Sequence, residues 1–112
     1  MSECLFCRIV RREIPVRIAA ETEHCLAFHD IAPQAPVHVV LIPKDHLDSM
    51  ADASDALVVG RLAMLAASIA RELGVVESGY RMVINTGADG GQTVHHLHAH
   101  LLAGRPLTWP PG

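Results

Sequence analysis

The segment VHVVLIP, residues 37–43, constrains the fold more than any other part of the chain. It is apolar and largely β-branched on both faces of an extended strand, so it belongs inside a sheet that is covered from both sides. With 112 residues the chain has material for one domain, residues 1–112, around a single core. Only one long helix is available to cover that sheet. Between Asp52 and Leu73 the apolar positions Leu57, Val58, Leu62, Leu65, Ile69 and Leu73 recur every three or four residues. Asp52 or Ser54 suits its N-cap, and Gly74 suits the position just past its last turn.

The rest of the pattern follows from local chemistry. LFCRIVRREI reads as a short helix that stops at Ile14, because the residue before Pro15 avoids the α region. VRIAAETEHCLAFHD reads as strand, polar turn and strand; IAPQAP is a proline-marked loop. YRMVINTG and TVHHLHAHLL read as two further strands around the glycine-rich turn GADGGQ. The tail GRPLTWPPG cannot continue regular structure, because its prolines remove donors and fix φ. The order α-β-β-β-α-β-β predicts an α+β domain with a mostly antiparallel sheet.

Composition removes several classes of function. The net charge is −3 and the Lys and Arg residues are dispersed, which argues against a polynucleotide partner. The four aromatic residues of the Phe, Trp and Tyr type are too few for a base-stacking platform. No apolar run approaches the roughly 20 residues of a membrane span, and the N-terminus does not read as a secretory signal. Three cysteines, an odd number, do not suggest a disulfide framework. The expectation is an intracellular, cytoplasmic protein that binds a small molecule.

The chemistry concentrates in GGQTVHHLHAHLL, residues 90–102. On a strand His96, His98 and His100 point the same way, with neighbours roughly 7 Å apart. Leu97, Ala99 and Leu101 take the opposite face, and His95 falls with them. Three imidazoles on one face suit either a metal site or a nucleophile with its supporting groups. Gly87, Gly90 and Gly91 offer a backbone nest for an anion, and Gln92 and Thr93 add side-chain donors, which favours phosphorus chemistry.

HHLHAHLL, together with CLAFHDIAPQAPVHVVLIPKDH, GYRMVINTGADGGQTV and WPPG, resembles the histidine triad (HIT) superfamily, in its Hint branch of nucleotide-binding phosphoramidases. The similarity spans about Leu5 to Gly112. It implies a HIT-like α+β fold: a five-stranded antiparallel sheet, one long helix, a short N-terminal helix, and a sheet extended across a homodimer. By resemblance, His98 attacks the α-phosphorus of a purine nucleoside 5′-phosphoramidate and forms a nucleotidyl-histidine intermediate that water hydrolyses. His100 hydrogen-bonds the phosphate or leaving group, and His38 fixes tautomers. Asn85, Gly91, Gln92 and Thr93 contact the phosphate and leaving group; the branch often has Ser where this chain has Thr93. Leu5, Phe6, Ile9, Phe28, His29 and Ile31 line the base and ribose pocket, and Asp30 accepts from the ribose hydroxyls. Asp30 also has an alternative use as a cap for the following loop.

The resemblance implies one further group. Cys4, Cys7, His46 and His96 match the residues that hold a structural zinc ion in many bacterial members, while the chemistry itself requires no cofactor. Three alternatives stay open at this stage. They are a dinucleoside polyphosphate hydrolase or nucleotidyl transferase of the same fold, a hydrolase using the triple histidine as an open zinc site, and a non-catalytic nucleotide-binding protein.

Overall fold

The computed structural model describes residues 4–112. Its elements in chain order are α1 (Leu5–Val10), β1 (Ile18–Glu21), β2 (Cys25–His29), β3 (Val37–Pro43), a 3₁₀ turn (Met50–Asp52), α2 (Ala56–Glu72), β4 (Tyr80–Ile84) and β5 (Ala99–Ala103). All five strands join one antiparallel sheet in the order β1-β2-β3-β5-β4. The apolar segment 37–43 therefore lies at the centre, as its composition predicts. Its alternation divides the core. Val39 and Leu41 join Leu97, Ala99 and Leu101 under Leu62, Ala66 and Ile69 of α2. Val40 and Ile42 face the other way, with Leu26 and Phe28, under Phe6 and Ile9 of α1. Side chains such as Leu62 and Leu101 are wholly buried, and each contributes roughly 1.5–3 kcal/mol.

Both helices end in the same hydrogen-bond pattern. At α2, Gly74 adopts φ +70°, its N–H donates to the Arg71 carbonyl and the Val75 N–H donates to the Ala70 carbonyl. At α1 the left-handed position is Arg12, at φ 64°, with Arg12 N–H to Ile9 O and Glu13 N–H to Arg8 O. The first helix thus stops at Val10, not at Ile14. Two further boundaries differ from the sequence reading. The N-cap of α2 is Asp55, whose carboxylate accepts from the Leu57 N–H at 2.9 Å. Asp52 instead closes a reciprocal capping box with Ser49 in the preceding 3₁₀ turn. The last strand begins only at Ala99, so His96 and His98 precede it, and β4 ends at Ile84, one residue before Asn85.

Candidate active site

On the α1 side of the sheet, a cleft of about 300 Å³ opens between α1, the start of the 31–36 loop and the histidine segment. That is the lower end of the range for small-molecule sites. Leu5, Phe6, Ile9, Phe28, His29, Asp30, Ile31, Thr93, His98 and His100 all line it, as the sequence reading groups them. Ile31 is almost fully exposed at the rim, an apolar side chain held in water beside an apolar cleft. The structure adds Ile14, Pro15, Val16, Val40 and Val94. Val40 could have been found, since it alternates with His38 on β3 and sits opposite His100. Ile14 to Val16 carried no signal; their path follows from the left-handed turn at Arg12.

The histidines are wired in a fixed protonation pattern. The Gln34 N–H donates to His38 Nδ1 at 3.0 Å, so neutral His38 carries its proton on Nε2. That Nε2–H donates to His100 Nδ1 at 2.9 Å, which leaves the His100 proton on its own Nε2. His98 Nδ1 lies 2.7 Å from the His96 carbonyl, which can only accept, so His98 has its lone pair on Nε2. His96 Nε2–H donates to the Pro43 carbonyl at 2.9 Å and leaves Nδ1 as its lone pair. Burial depresses the pKa of His38, against the opposing pull of Asp30, and that of His96. Burial, then the proximity of His98 and His38, brings His100 down to about 4. His38, His96 and His100 stay neutral at pH 7.

Although His96 and His98 lie ahead of β5, they keep the expected side. Phe6 packs edge-on to both rings, with centroids 5.8 and 5.1 Å away, and His98 is 5.1 Å from His100. Leu97, Ala99 and Leu101 enter the opposite core. His95 does not join them; it is exposed, because the chain bends over residues 94–96 before the strand begins.

The glycine turn departs from the expected anion nest. The Gly91 N–H donates to Ala88 O, the Gln92 N–H to Gly87 O, and the Gly87 N–H to Gln92 Oε1. The Gln92 amide donates to the Asp48 and Val94 carbonyls at 2.6 and 3.1 Å. Gln92 therefore ties the turn together and to residue 48, with its amide spent internally. Gly90 is required for close approach: a Cβ there would collide with the Thr86 carbonyl. Asn85 does not line the cleft either; it lies in a second groove with Arg81, Arg105 and the tail. His38 stands behind His100. Asp30 divides its oxygens, one accepting from the Ala32 N–H at 2.8 Å and the other 3.4 Å from His38 Nε2.

Cys4, Cys7, His46 and His96 gather behind α1, with their donor atoms all within 4.8 Å of one another. Cys4 Sγ to His96 Nδ1 is 3.3 Å, Cys7 Sγ to His46 Nδ1 is 3.4 Å, and the two Nδ1 atoms are 3.2 Å apart. A tetrahedral zinc ion with ordinary Zn–S and Zn–N bonds has edges of roughly 3.3–3.8 Å, so the set fits. Both imidazoles present Nδ1, and their Nε2 atoms are anchored: His96 on Pro43 O, and His46 on Asp48 Oδ1 at 2.7 Å. Asp48 escaped the sequence reading, since an acidic residue two positions after a histidine carries no mark of its own. Its hydrogen bond is the first cause that raises the His46 pKa.

Comparison with known proteins matches residues 11–107 to the family described as HIT domain. The chain is 53% identical over 115 residues to an uncharacterized HIT-like protein of Synechococcus elongatus, covering all of both chains. It is 45% identical over 115 residues to a 14 kDa zinc-binding protein of Zea mays, covering 99% of this chain and 89% of the relative. Among solved structures, a HIT family hydrolase from Legionella pneumophila superposes with a TM-score of 0.95 at 45% identity, over 98% of this chain and 100% of that one. A histidine triad nucleotide-binding protein from Candida albicans gives a TM-score of 0.83 at 28% identity, over 96% and 83%.

Proposed function

We propose that this chain, which belongs to the HIT family, hydrolyses the P–N bond of nucleoside 5′-phosphoramidates through a nucleotidyl adduct on His98. Its fold is that of HIT-family hydrolases. The observation that carries the reading is the hydrogen bond from His98 Nδ1–H to the His96 carbonyl. It leaves Nε2 as the lone-pair nitrogen of a side chain that lines the cleft. Attack forms the Nε2–P bond and breaks P–N, and the leaving nitrogen takes a proton from solvent and departs as the amine. The adduct imidazole is then cationic, and its Nδ1–H bond to a carbonyl strengthens as that charge develops. His100 holds Nε2–H available to a phosphoryl oxygen because His38 supplies a proton to its Nδ1. Water then displaces the nucleotide from His98, completing covalent catalysis.

The apolar cleft with Asp30 in its lining suits a purine nucleoside, the base against Phe6, Ile9 and Phe28 and the carboxylate toward the ribose hydroxyls. Zinc on Cys4, Cys7, His46 and His96 would be structural: its four ligands leave no open position, and no step passes through it. An open zinc site on the triple histidine needs three lone pairs on one centre. Here the lone pairs diverge: His96 Nδ1 toward the cysteines, His98 Nε2 in the cleft, and His100 Nδ1 on His38. A homodimer completes the reading, supported by β4 at a sheet edge and by Leu57 and Met64 exposed on α2. A cytoplasmic location is part of it; among the described residues no helix is long and apolar enough to cross a membrane.

Intact-mass measurement after rapid quench with an adenosine phosphoramidate tests the mechanism. The expected result is an AMP adduct that disappears in His98→Ala and survives chelation. Hydrolysis without any adduct, abolished by chelation alone, would transfer the chemistry to a metal.

A further inference from the structure

The four-residue cysteine and histidine cluster is joined to the cleft by three short connections. Cys4 caps α1 and Cys7 lies in its first turn, and between them Leu5 and Phe6, then Ile9, form one wall of the cleft. The backbone of His96 receives the Nδ1–H of His98. His46 bonds Asp48, whose carbonyl receives the Gln92 amide that binds the glycine turn. A helix of six residues has little stability of its own, so the position of α1 depends on its anchors.

Two of those anchors are thiols three residues apart, both only partly buried, beside a half-exposed His46. Their sulfurs lie close together, since the donor atoms of the cluster are all within 4.8 Å of one another. The third cysteine, Cys25, lies in the α2-side core, where burial pushes its thiol up and keeps it unreactive.

We propose that Cys4 and Cys7 are a reversible oxidation site through which a peroxide opens the nucleotide cleft. One thiolate attacks the peroxide, becomes a sulfenic acid and releases hydroxide. The second thiolate displaces hydroxide from that sulfur, forming the S–S bond; the peroxide is reduced to two waters after two protons are taken up. A disulfide has no thiolate to offer a metal, so the cluster loses two of its four ligands. Cys4 is the extended N-cap of α1 and its sulfur lies within 4.8 Å of that of Cys7, so the S–S bond needs only a small movement of the two side chains. With two ligands gone the cluster no longer ties α1 to His46 and His96, and the cleft wall of Leu5 and Phe6 is released. The inference rests on the nucleotide reading of that cleft.

The test uses the full chain, reduced and zinc-loaded, in a Cys25→Ser background. Hydrogen peroxide is titrated while a chromogenic chelator reports zinc, and peptide mass reports a Cys4–Cys7 disulfide. AMP affinity is measured by calorimetry before oxidation, after it, and after dithiothreitol with zinc. The expected result is one zinc released per disulfide, AMP binding weakened about tenfold and restored on reduction, and faster amide exchange over residues 5–10. Reduced protein that fails to bind AMP overturns the nucleotide reading and this proposal with it. Reduced protein that binds AMP, but equally well with the disulfide closed, overturns the switch alone. So does a peroxide-treated protein that retains both thiols and its zinc.

Discussion

Replacing His100 with glutamine should remove an acid-labile share of the folding free energy, of a size set by its surroundings. Burial, then His98 and His38, lowers its pKa from 6.5 to about 4. In the unfolded chain the imidazole returns to its ordinary value, so between the two values the unfolded state binds the extra proton. Stability therefore rises with pH across that window, and is lost as pH falls from about 6.5 toward 4. The share lost between pH 7 and pH 5 is about 2 kcal/mol, reaching about 3 kcal/mol at pH 4. Glutamine retains an acceptor for the His38 Nε2–H and does not titrate. The stability gap between parent and His100→Gln should then be about 2 kcal/mol smaller at pH 5 than at pH 7. Urea unfolding followed by circular dichroism reads this as a change of roughly 1 M in the midpoint difference, for a slope of 1–3 kcal/mol per M. Buried His38 and His96 titrate in the same direction, but both proteins contain them and they cancel in the difference. A gap that stays constant from pH 7 to pH 5 would refute the desolvated, neutral His100 on which the phosphate-donor role depends.

Two further expectations concern the wiring and the frame. His38→Ala removes the donor that fixes the His100 tautomer; losing a buried hydrogen bond worth about 1–3 kcal/mol should lower kcat/KM roughly 5- to 150-fold. A fluorescent-amine phosphoramidate measures it, and an unchanged kcat/KM in folded protein would sink the relay. Asp55→Ala should cost about 1 kcal/mol and roughly 4 °C in Tm by removing the α2 cap, while exposed Ser54→Ala changes little. Equal losses at the two positions would show that the cap is misassigned.

The elements legible in the sequence are those whose burial is periodic. The α2 stripe and the two-faced apolar run of β3 each bury what their pattern says, and together they fix the sheet's centre and its covered face. Boundaries were less legible, because several residues compete for one role. In the run Asp52 to Asp55, three side chains can cap α2, and the choice falls to Asp55 once Ser49 engages Asp52. Nothing marks Arg12 as left-handed, since glycine is the residue that ordinarily signals such a position. The glycine turn misled for a related reason. Its composition offers N–H groups to an anion, but Gly87 and Gly91 find partners inside the turn, and Gln92 supplies one of them.

The candidate site was legible as a set of residues and illegible as a set of protons. Alternation along residues 96–100 is enough to put three histidines on one side, even though only His100 lies within the strand. What separates their roles is the second nitrogen of each ring. His96 is committed to a metal-type site by Pro43, 53 positions away; His98 is set by the carbonyl two residues back; His100 is set by His38, which the Gln34 N–H sets in turn. Of the contacts made by the three triad rings themselves, only that of His98 is local in sequence. In the proposed mechanism three chemically identical side chains on one face take the roles of ligand, nucleophile and donor through the Pro43 and His96 carbonyls and the His38 side chain. The prediction that follows is specific to that origin: altering His38 changes the chemistry at His100 while every residue of the triad stays as it is.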